Sequence, residues 1–424
     1  MTRKLLKKPA VKPVDPGKIP EPVCNRLQNN IPVFLIEAGL EDLSRIEFTF
    51  GAGNAHEYMP LLASTTNLML TEGTKKYTST ELHNTLDFYG TLYHPYTDKD
   101  RAGIVICVLN KHLEKVLALA REILFFPAFP ASELETLMKK RFRKYLISKE
   151  KVYNIALDKF YESVFGSHHP YGRKTLPDDF NNMIPSLLKD FHASFYTPGN
   201  MAIFISGRIS KKIIKLLNCY FGEINPDKIY TEETCNILKS QKLKKVHIEK
   251  QQAIQTAIMI GSPTINKRHP DYPGLKVLNV LLGGYFGSRL MKNIREEKGF
   301  TYGISSTVFS LNLSGYKVIS TEVSKKITQK AIDEIYKEIR LLQHIPVKKE
   351  ELEVVRNYML GDMVRMFDGP FALAESFRLV WEFGLDNSYY YRLADKIKSI
   401  SPDEISALAQ TYYNINDLYE ITAG

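Results

Sequence analysis

Cysteine is scarce and unclustered in this chain. Cys24, Cys107, Cys219 and Cys235 are the only four in 424 residues, and none falls at CxxC spacing. That excludes a clustered thiolate zinc site or a dithiol redox motif, and reduced, buried thiols are expected. Also missing is any uninterrupted apolar run near the roughly 20 residues that a membrane-spanning helix requires. The start, MTRKLLKKPAVKPVDPGKIPEPV, is basic but carries no apolar stretch of signal-peptide length. A cytoplasmic location without membrane attachment is expected. Tryptophan occurs once, at Trp381. The other aromatics are scattered as core residues are, and no stripe of aromatic and basic residues suits base stacking.

The formal charge of +10 raises the question of a nucleic-acid partner. Residues 1–18 hold six Lys/Arg and one Asp, so half of the excess sits in a Pro-rich tail that cannot form a stable helix. No nucleic-acid partner is expected. The 44% hydrophobic and 25% charged residues fit a globular protein. The length points to two domains of roughly 200 residues each.

An internal repeat supports that division. YYNINDLYEITAG at 412–424 matches FYTPGNMAIFISG at 195–207, NKHLEKVLALAREIL from Asn110 resembles SKKITQKAIDEIYKEI from Ser324, and SELETLMKKRF from Ser132 resembles KEELEVVRNYM from Lys349. Each unit opens on a strand-like run, IEFTFGAG at 46–53 and TAIMIGSP at 256–263, and continues into helical periodicity. Thr78 and Glu81 form a capping box for a helix that Gly90 stops. GIVICVL at 103–109 and SGYKVISTEV at 314–323 read as strands, each before a long amphipathic helix. The order is that of an α+β protein, although periodicity alone does not separate antiparallel strands from parallel crossovers. The expected division is a basic Pro-rich tail at 1–22, a first domain at 23–225, a linker at 226–245 and a second domain at 246–424.

The stretch GGYFGSRLMKNIREEKGFTYGISS at 283–306 resembles the C-terminal domain of the pitrilysin/insulinase zinc peptidases and of mitochondrial processing peptidase. The EGT turn at Glu72–Thr74, HPYGR at 169–173 and YTPGN at 196–200 add to the resemblance. It implies two homologous domains, each an antiparallel sheet with helices packed on one face, forming one half of a clamshell-like chamber. Peptidases of this family carry an HxxEH motif before the glycine turn. Two imidazoles four residues apart share a helical face and bind Zn²⁺, and the carboxylate serves as general base. Counting back from Gly73, those positions fall on Ser64, Asn67 and Leu68.

Ser and Asn are poor zinc ligands and Leu has no donor atom, so the resemblance is to a zinc-less member. The family's third ligand, a Glu on a later helix, maps near Arg143 or Lys144, where a fixed cation would repel Zn²⁺. His56, His83, His94, His168 and His169 include no i, i+4 pair that could substitute. No metal or other cofactor is expected in this chain.

Arg295 and Tyr302 fall where the family has its substrate-binding Arg/Tyr pair. Ser288 can cap a helix that runs to Gly299, which puts Arg295 in its last turn and Tyr302 at the start of the next strand. Both side chains then offer donors to a peptide carbonyl, and in a peptidase each such donor lowers the barrier by about 3 to 4 kcal/mol. Aligning Gly90 with Gly299 sets Leu86 opposite Arg295 and Tyr93 opposite Tyr302, so the first unit lacks the arginine. Gly283, Gly284 and Gly287 lack the spacing and Lys of a phosphate loop and read as turn glycines.

The resemblance implies a non-catalytic, substrate-binding subunit that gives this Arg/Tyr pair to a zinc-bearing homologue in a heterodimer, with peptides as substrates. The alternatives are a purely structural subunit, like the core proteins of respiratory complexes, and a homodimeric chamber that binds peptides without cutting them.

Overall fold

The computed structural model describes residues 17–224 and 243–424. Six strands form the first sheet: β1 (Val23–Arg26), β2 (Pro32–Glu37), β3 (Leu43–Phe50), β4 (Leu92–Thr97), β5 (Ala102–Leu109) and β6 (Met201–Gly207). Five form the second: β7 (Lys245–Ile248), β8 (Gln255–Thr264), β9 (Ile304–Ser310), β10 (Gly315–Ser324) and β11 (Tyr419–Ala423). The first runs β1-β2-β6-β3-β5-β4 and the second β7-β11-β8-β10-β9, so β2, β6, β3, β5 and β4 correspond in order to β7, β11, β8, β10 and β9. Pairing is antiparallel except for β2 with β6 and β7 with β11. In both units the last strand thus inserts beside the first of the shared set, and it runs parallel to it because a whole layer of helices separates them in sequence.

Within the first unit the helices are α1 (Leu62–Met69), α2 (Ser79–Phe88), α3 (Leu113–Phe125), α4 (Ala131–Lys149), α5 (Val152–Phe165), α6 (Pro177–Asn181), α7 (Pro185–Phe195) and α8 (Ile213–Leu217). The second unit has α9 (Tyr272–Asn279), α10 (Thr328–His344), α11 (Lys349–Met366), α12 (Gly369–Trp381), α13 (Ser388–Ser399) and α14 (Pro402–Tyr412). Strand β3 shows why the layers form. Ile46, Phe48 and Phe50 alternate onto the face covered by the unit's own helices, while Arg45, Glu47 and Thr49 point the other way. The Thr78–Glu81 capping box forms as the sequence indicates, and Gly90 and Gly299 have φ of +60° and +63°.

The face away from each unit's own helices is not bare. Helix α5 of the first unit lies on β8 and β11, burying Phe160 and Val164 against Met259, Tyr419 and Ile421. Helix α12 of the second unit lies on β2 and β6. There Phe34 stacks on Phe204 at 5.0 Å and meets Phe377 at 5.2 Å, and Trp381 lies 5.3 Å from Phe204. Helices on one face, as expected, are therefore joined by one helix exchanged between units on the other. A helix's apolar periodicity says which side is buried but not which sheet buries it.

The exchange also buries charge. Arg378 on α12 places Nε 2.9 Å from Glu47 Oε1, pairs with Glu382 on its own helix, and sits 5.5 Å from the Tyr96 ring. Glu47 is 1% exposed and also accepts from Arg45 at 2.8 Å. Burial opposes the Arg378 charge, but Glu382, Tyr96 and Glu47 hold its pKa above the ordinary value.

Residues 1–16 of the expected tail and most of the expected linker lie outside the described residues. Of the linker's last residues, Lys245 opens β7. The described end of the tail is docked on the second unit. Ile19 is 3% exposed, its N–H donates to the Tyr391 hydroxyl at 2.9 Å, and Asn387 donates to the Pro20 carbonyl at 3.1 Å. The cysteines differ from expectation: Cys24, on the edge strand β1, and Cys219 are exposed, and Cys107 is half-buried. Cys235 lies outside the described residues. No described helix is long and apolar enough to cross a membrane.

Candidate functional site

Helix α1 carries the positions where the zinc motif would fall. Glu57, in the chain ahead of the helix, accepts at Oε2 from the Ala63 N–H at 2.9 Å and so satisfies one orphan donor of the helix's first turn. Burial raises the Glu57 pKa to about 7, against the lowering effects of that hydrogen bond and of Arg173, Lys99 and Arg141.

The cation that lies against α1 is Arg141, not Arg143 or Lys144, which are exposed. Arg141 Nη2 donates to Ser64 Oγ at 2.7 Å and Nη1 to Thr65 Oγ1 at 2.6 Å. Leu134 and Met138 are the buried residues of α4, and Arg141 continues their i, i+4, i+7 stripe. That phase was available in the sequence, whereas counting from a distant motif missed it by two residues. A guanidinium thus fills the space beside Ser64.

Asn67 is 1% exposed and fully engaged. Its Nδ2 donates to the Tyr96 carbonyl at 2.8 Å and the Gly103 carbonyl at 3.1 Å, and its Oδ1 accepts from the Tyr196 hydroxyl at 3.0 Å. The amide ties α1 and the end of α7 to strands β4 and β5. Leu68 is half-buried. The histidines are dispersed in role: His83 bonds the Tyr93 hydroxyl at 2.5 Å, His169 accepts from the Tyr171 N–H at 3.0 Å, and burial lowers the His56 pKa to about 4. Among the described residues no three His, Cys, Asp or Glu side chains gather as a metal site.

Arg295 lies in a π-helical run, Met291–Glu297, rather than in the α-helix expected. Ser288 does not cap it, and its hydroxyl is buried without a hydrogen-bond partner. Irregular helical turns of this kind recur at functional sites. The Arg295 Nε donates to the Tyr302 backbone carbonyl at 2.9 Å, and its guanidinium lies 4.6 Å from the Phe286 ring centroid. Strand β9 begins only at Ile304, so Tyr302 precedes it in a bend, and its ring is 95% exposed. The pair is thus coupled through the backbone, with the phenol projecting outward. Phe286, the aromatic shelf under Arg295, was missed. Its place beside the glycine turn Gly283–Gly287 is the only sequence signal for it. In the first unit the equivalent Leu86 is buried in the core.

The HPYGR segment has a role that its sequence did not reveal. Asp100 Oδ1 accepts from the Tyr171 hydroxyl, its Oδ2 accepts from the Asn312 N–H at 2.9 Å, and the Leu313 N–H donates to the Tyr171 oxygen at 3.3 Å. The segment therefore pins the first unit to the β9–β10 turn of the second.

Two family profiles match the chain, "Insulinase (Peptidase family M16)" over residues 34–177 and "Peptidase M16 inactive domain" over 184–359. The chain belongs to the insulinase, or M16, peptidase family, and it lacks that family's HxxEH motif. It is 22% identical over 401 residues to the "non-peptidase homolog YmxG" of Helicobacter pylori, covering 92% of this chain and 91% of that one. It is 23% identical over 320 residues to the "uncharacterized zinc protease YmxG" of Bacillus subtilis, covering 74% and 76%. Among solved structures, a peptidase M16 inactive domain from Pseudomonas fluorescens superposes with a TM-score of 0.85 at 21% identity, covering 95% of this chain and 98% of that one. A chain of complex III2 from Candida albicans superposes at 0.73 with 16% identity, covering 95% of each.

Proposed function

We propose that the chain is the non-catalytic, substrate-binding subunit of a cytoplasmic M16-type zinc metallopeptidase, and that it presents Arg295 and Tyr302 to peptide held at the metal of a zinc-bearing homologue. The contrast between the two sites supports this. At α1 every polar group of the degenerate motif is engaged inside the chain, Ser64 by Arg141 and Asn67 by two strands and Tyr196. At the second site the Tyr302 phenol is turned out to solvent beside a guanidinium held by Phe286 and a backbone carbonyl.

A guanidinium fixed at one N–H and stacked on one face keeps donors free for a carbonyl oxygen, and a phenol adds another. Such donors act on charge that develops in the tetrahedral transition state, which is why they serve a metal supplied from elsewhere. The experiment is reconstitution with a zinc-bearing homologue. Arg295→Ala with Tyr302→Phe is expected to lower turnover while gel filtration shows the same assembly. In a purely structural subunit the double variant is silent, and a stand-alone peptide-binding chamber gives no turnover to lower.

A further inference from the structure

We propose that Lys317 is a carbonyl-reactive amine, and that the cavity at the end of the second sheet admits small aldehydes which condense with it. Lys317 lies on β10 and is 2% exposed, yet it lines a solvent-open cavity of about 690 Å³ together with Ser262, Ser314, Thr411, Tyr412 and Asp417. That volume is in the range of small-molecule sites. Its Nζ donates to Ser262 Oγ, directly across the β8–β10 ladder, and lies 5.1 Å from the Tyr413 ring centroid.

What makes this lysine unlike a structural one is the absence of a carboxylate partner among the described residues. Asp417, in the turn before β11, pairs instead with Lys244 at 3.4 Å. Tyr412, at the end of α14, donates to Asp271 at 2.7 Å. Arg268, from the loop after β8, is spent on the carbonyls of Phe383 and Asn312, and His269 accepts from the Asp271 N–H at 3.2 Å. Burial lowers the Lys317 pKa to about 7, and only Asp417 opposes the shift. A large fraction of the amine is then neutral, and so nucleophilic, near pH 7. Lys267 and Lys276 are also lowered by burial, but neither lines this cavity.

The reaction balances without a further reagent. The nitrogen lone pair forms a C–N bond to the aldehyde carbon, and the carbonyl oxygen takes a proton to give a carbinolamine. The C–O bond then breaks, and the oxygen leaves as water with the second amine proton, giving an imine. The Ser262 hydroxyl beside the nitrogen is placed to relay those protons.

The test is to treat the full chain briefly with propanal and cyanoborohydride, which reduces the imine to a stable secondary amine, and to map modified lysines by peptide mass spectrometry. Lys317 is expected to label at least about tenfold faster at pH 7 than the exposed Lys139 and Lys245, with the advantage shrinking toward pH 9 as ordinary amines deprotonate. The fast phase should vanish in Lys317→Met, which keeps the side chain's volume. Labelling of Lys317 no faster than of Lys139 overturns the proposal, as does a fast phase that survives in the variant. The site-resolved comparison in the unaltered chain stands whether or not the variant folds.

Discussion

Asn67 and Asn279 each join an edge-strand carbonyl to a tyrosine hydroxyl, one in each half of the molecule. Asn67 joins the β4 carbonyl of Tyr96 to the hydroxyl of Tyr196, and Asn279 joins the β9 carbonyl of Ser306, at 2.9 Å, to the hydroxyl of Tyr413, at 3.4 Å. Each sits on the first core helix of its unit, and each tyrosine ends or directly follows the last helix before the final strand. The position on which counting back from Gly73 sets the motif's carboxylate is thus built like its counterpart in the second half, as a strut between helix and edge strand.

A carboxylate cannot take over that strut. Asn67→Glu would set a buried anion against the carbonyl oxygens of Tyr96 and Gly103 and remove the Nδ2 donor they share, at a cost of about 3 kcal/mol or more. Thermal unfolding is expected to show a clear drop in Tm. Restoring the whole motif by Ser64→His, Asn67→Glu and Leu68→His, with Arg141 retained, should leave the chain without stoichiometric zinc by metal analysis.

Glu57 makes stability depend on pH. Its folded pKa of about 7 lies above the ordinary carboxyl value of 4.5, so the folded state binds the proton more tightly than the unfolded chain does. Its contribution is therefore most favourable below about pH 4.5 and is lost as pH rises to 7, an effect of about 3 kcal/mol. Glu57→Gln keeps an acceptor for the Ala63 N–H and removes the titration. Denaturant midpoints should show the variant gaining on the parent between pH 5 and pH 8.

The exchanged helices tie the stability of the two units together. Phe377→Ala empties the aromatic cluster on the first sheet from a residue of the second unit, at about 3 kcal/mol. Arg378→Met leaves Glu382 buried without its cation and Glu47 with Arg45 alone, and should cost about 3 kcal/mol. Hydrogen exchange is expected to report the loss in β2, β3 and β6, although neither mutation lies in the first unit.

Much of this architecture is written locally. The capping box at Thr78, the stop at Gly90 and the alternation of β3 depend on neighbours a few residues apart, and a single sequence displays them. The exchanged helices, the Asp100–Tyr171–Asn312 junction and the exposure of Cys24 depend on where remote segments meet, which periodicity does not encode. The sites divide in the same way. Counting back from Gly73 puts the motif's imidazole positions on Ser64 and Leu68, but the cation Arg141 beside Ser64 required the helical phase of α4. The backbone coupling of Arg295 to Tyr302 followed from a π-helical run that no spacing rule distinguishes from an α-helix.

Division of labour between two subunits is read out most directly by the zinc content and peptidase activity of the pure chain, before and after adding a zinc-bearing homologue from the same source. The account predicts no stoichiometric zinc and no hydrolysis from the chain alone, and hydrolysis on mixing that falls when Arg295→Ala and Tyr302→Phe are introduced. Stoichiometric zinc with activity in the isolated chain would contradict it, as would a mixed activity indifferent to that double substitution.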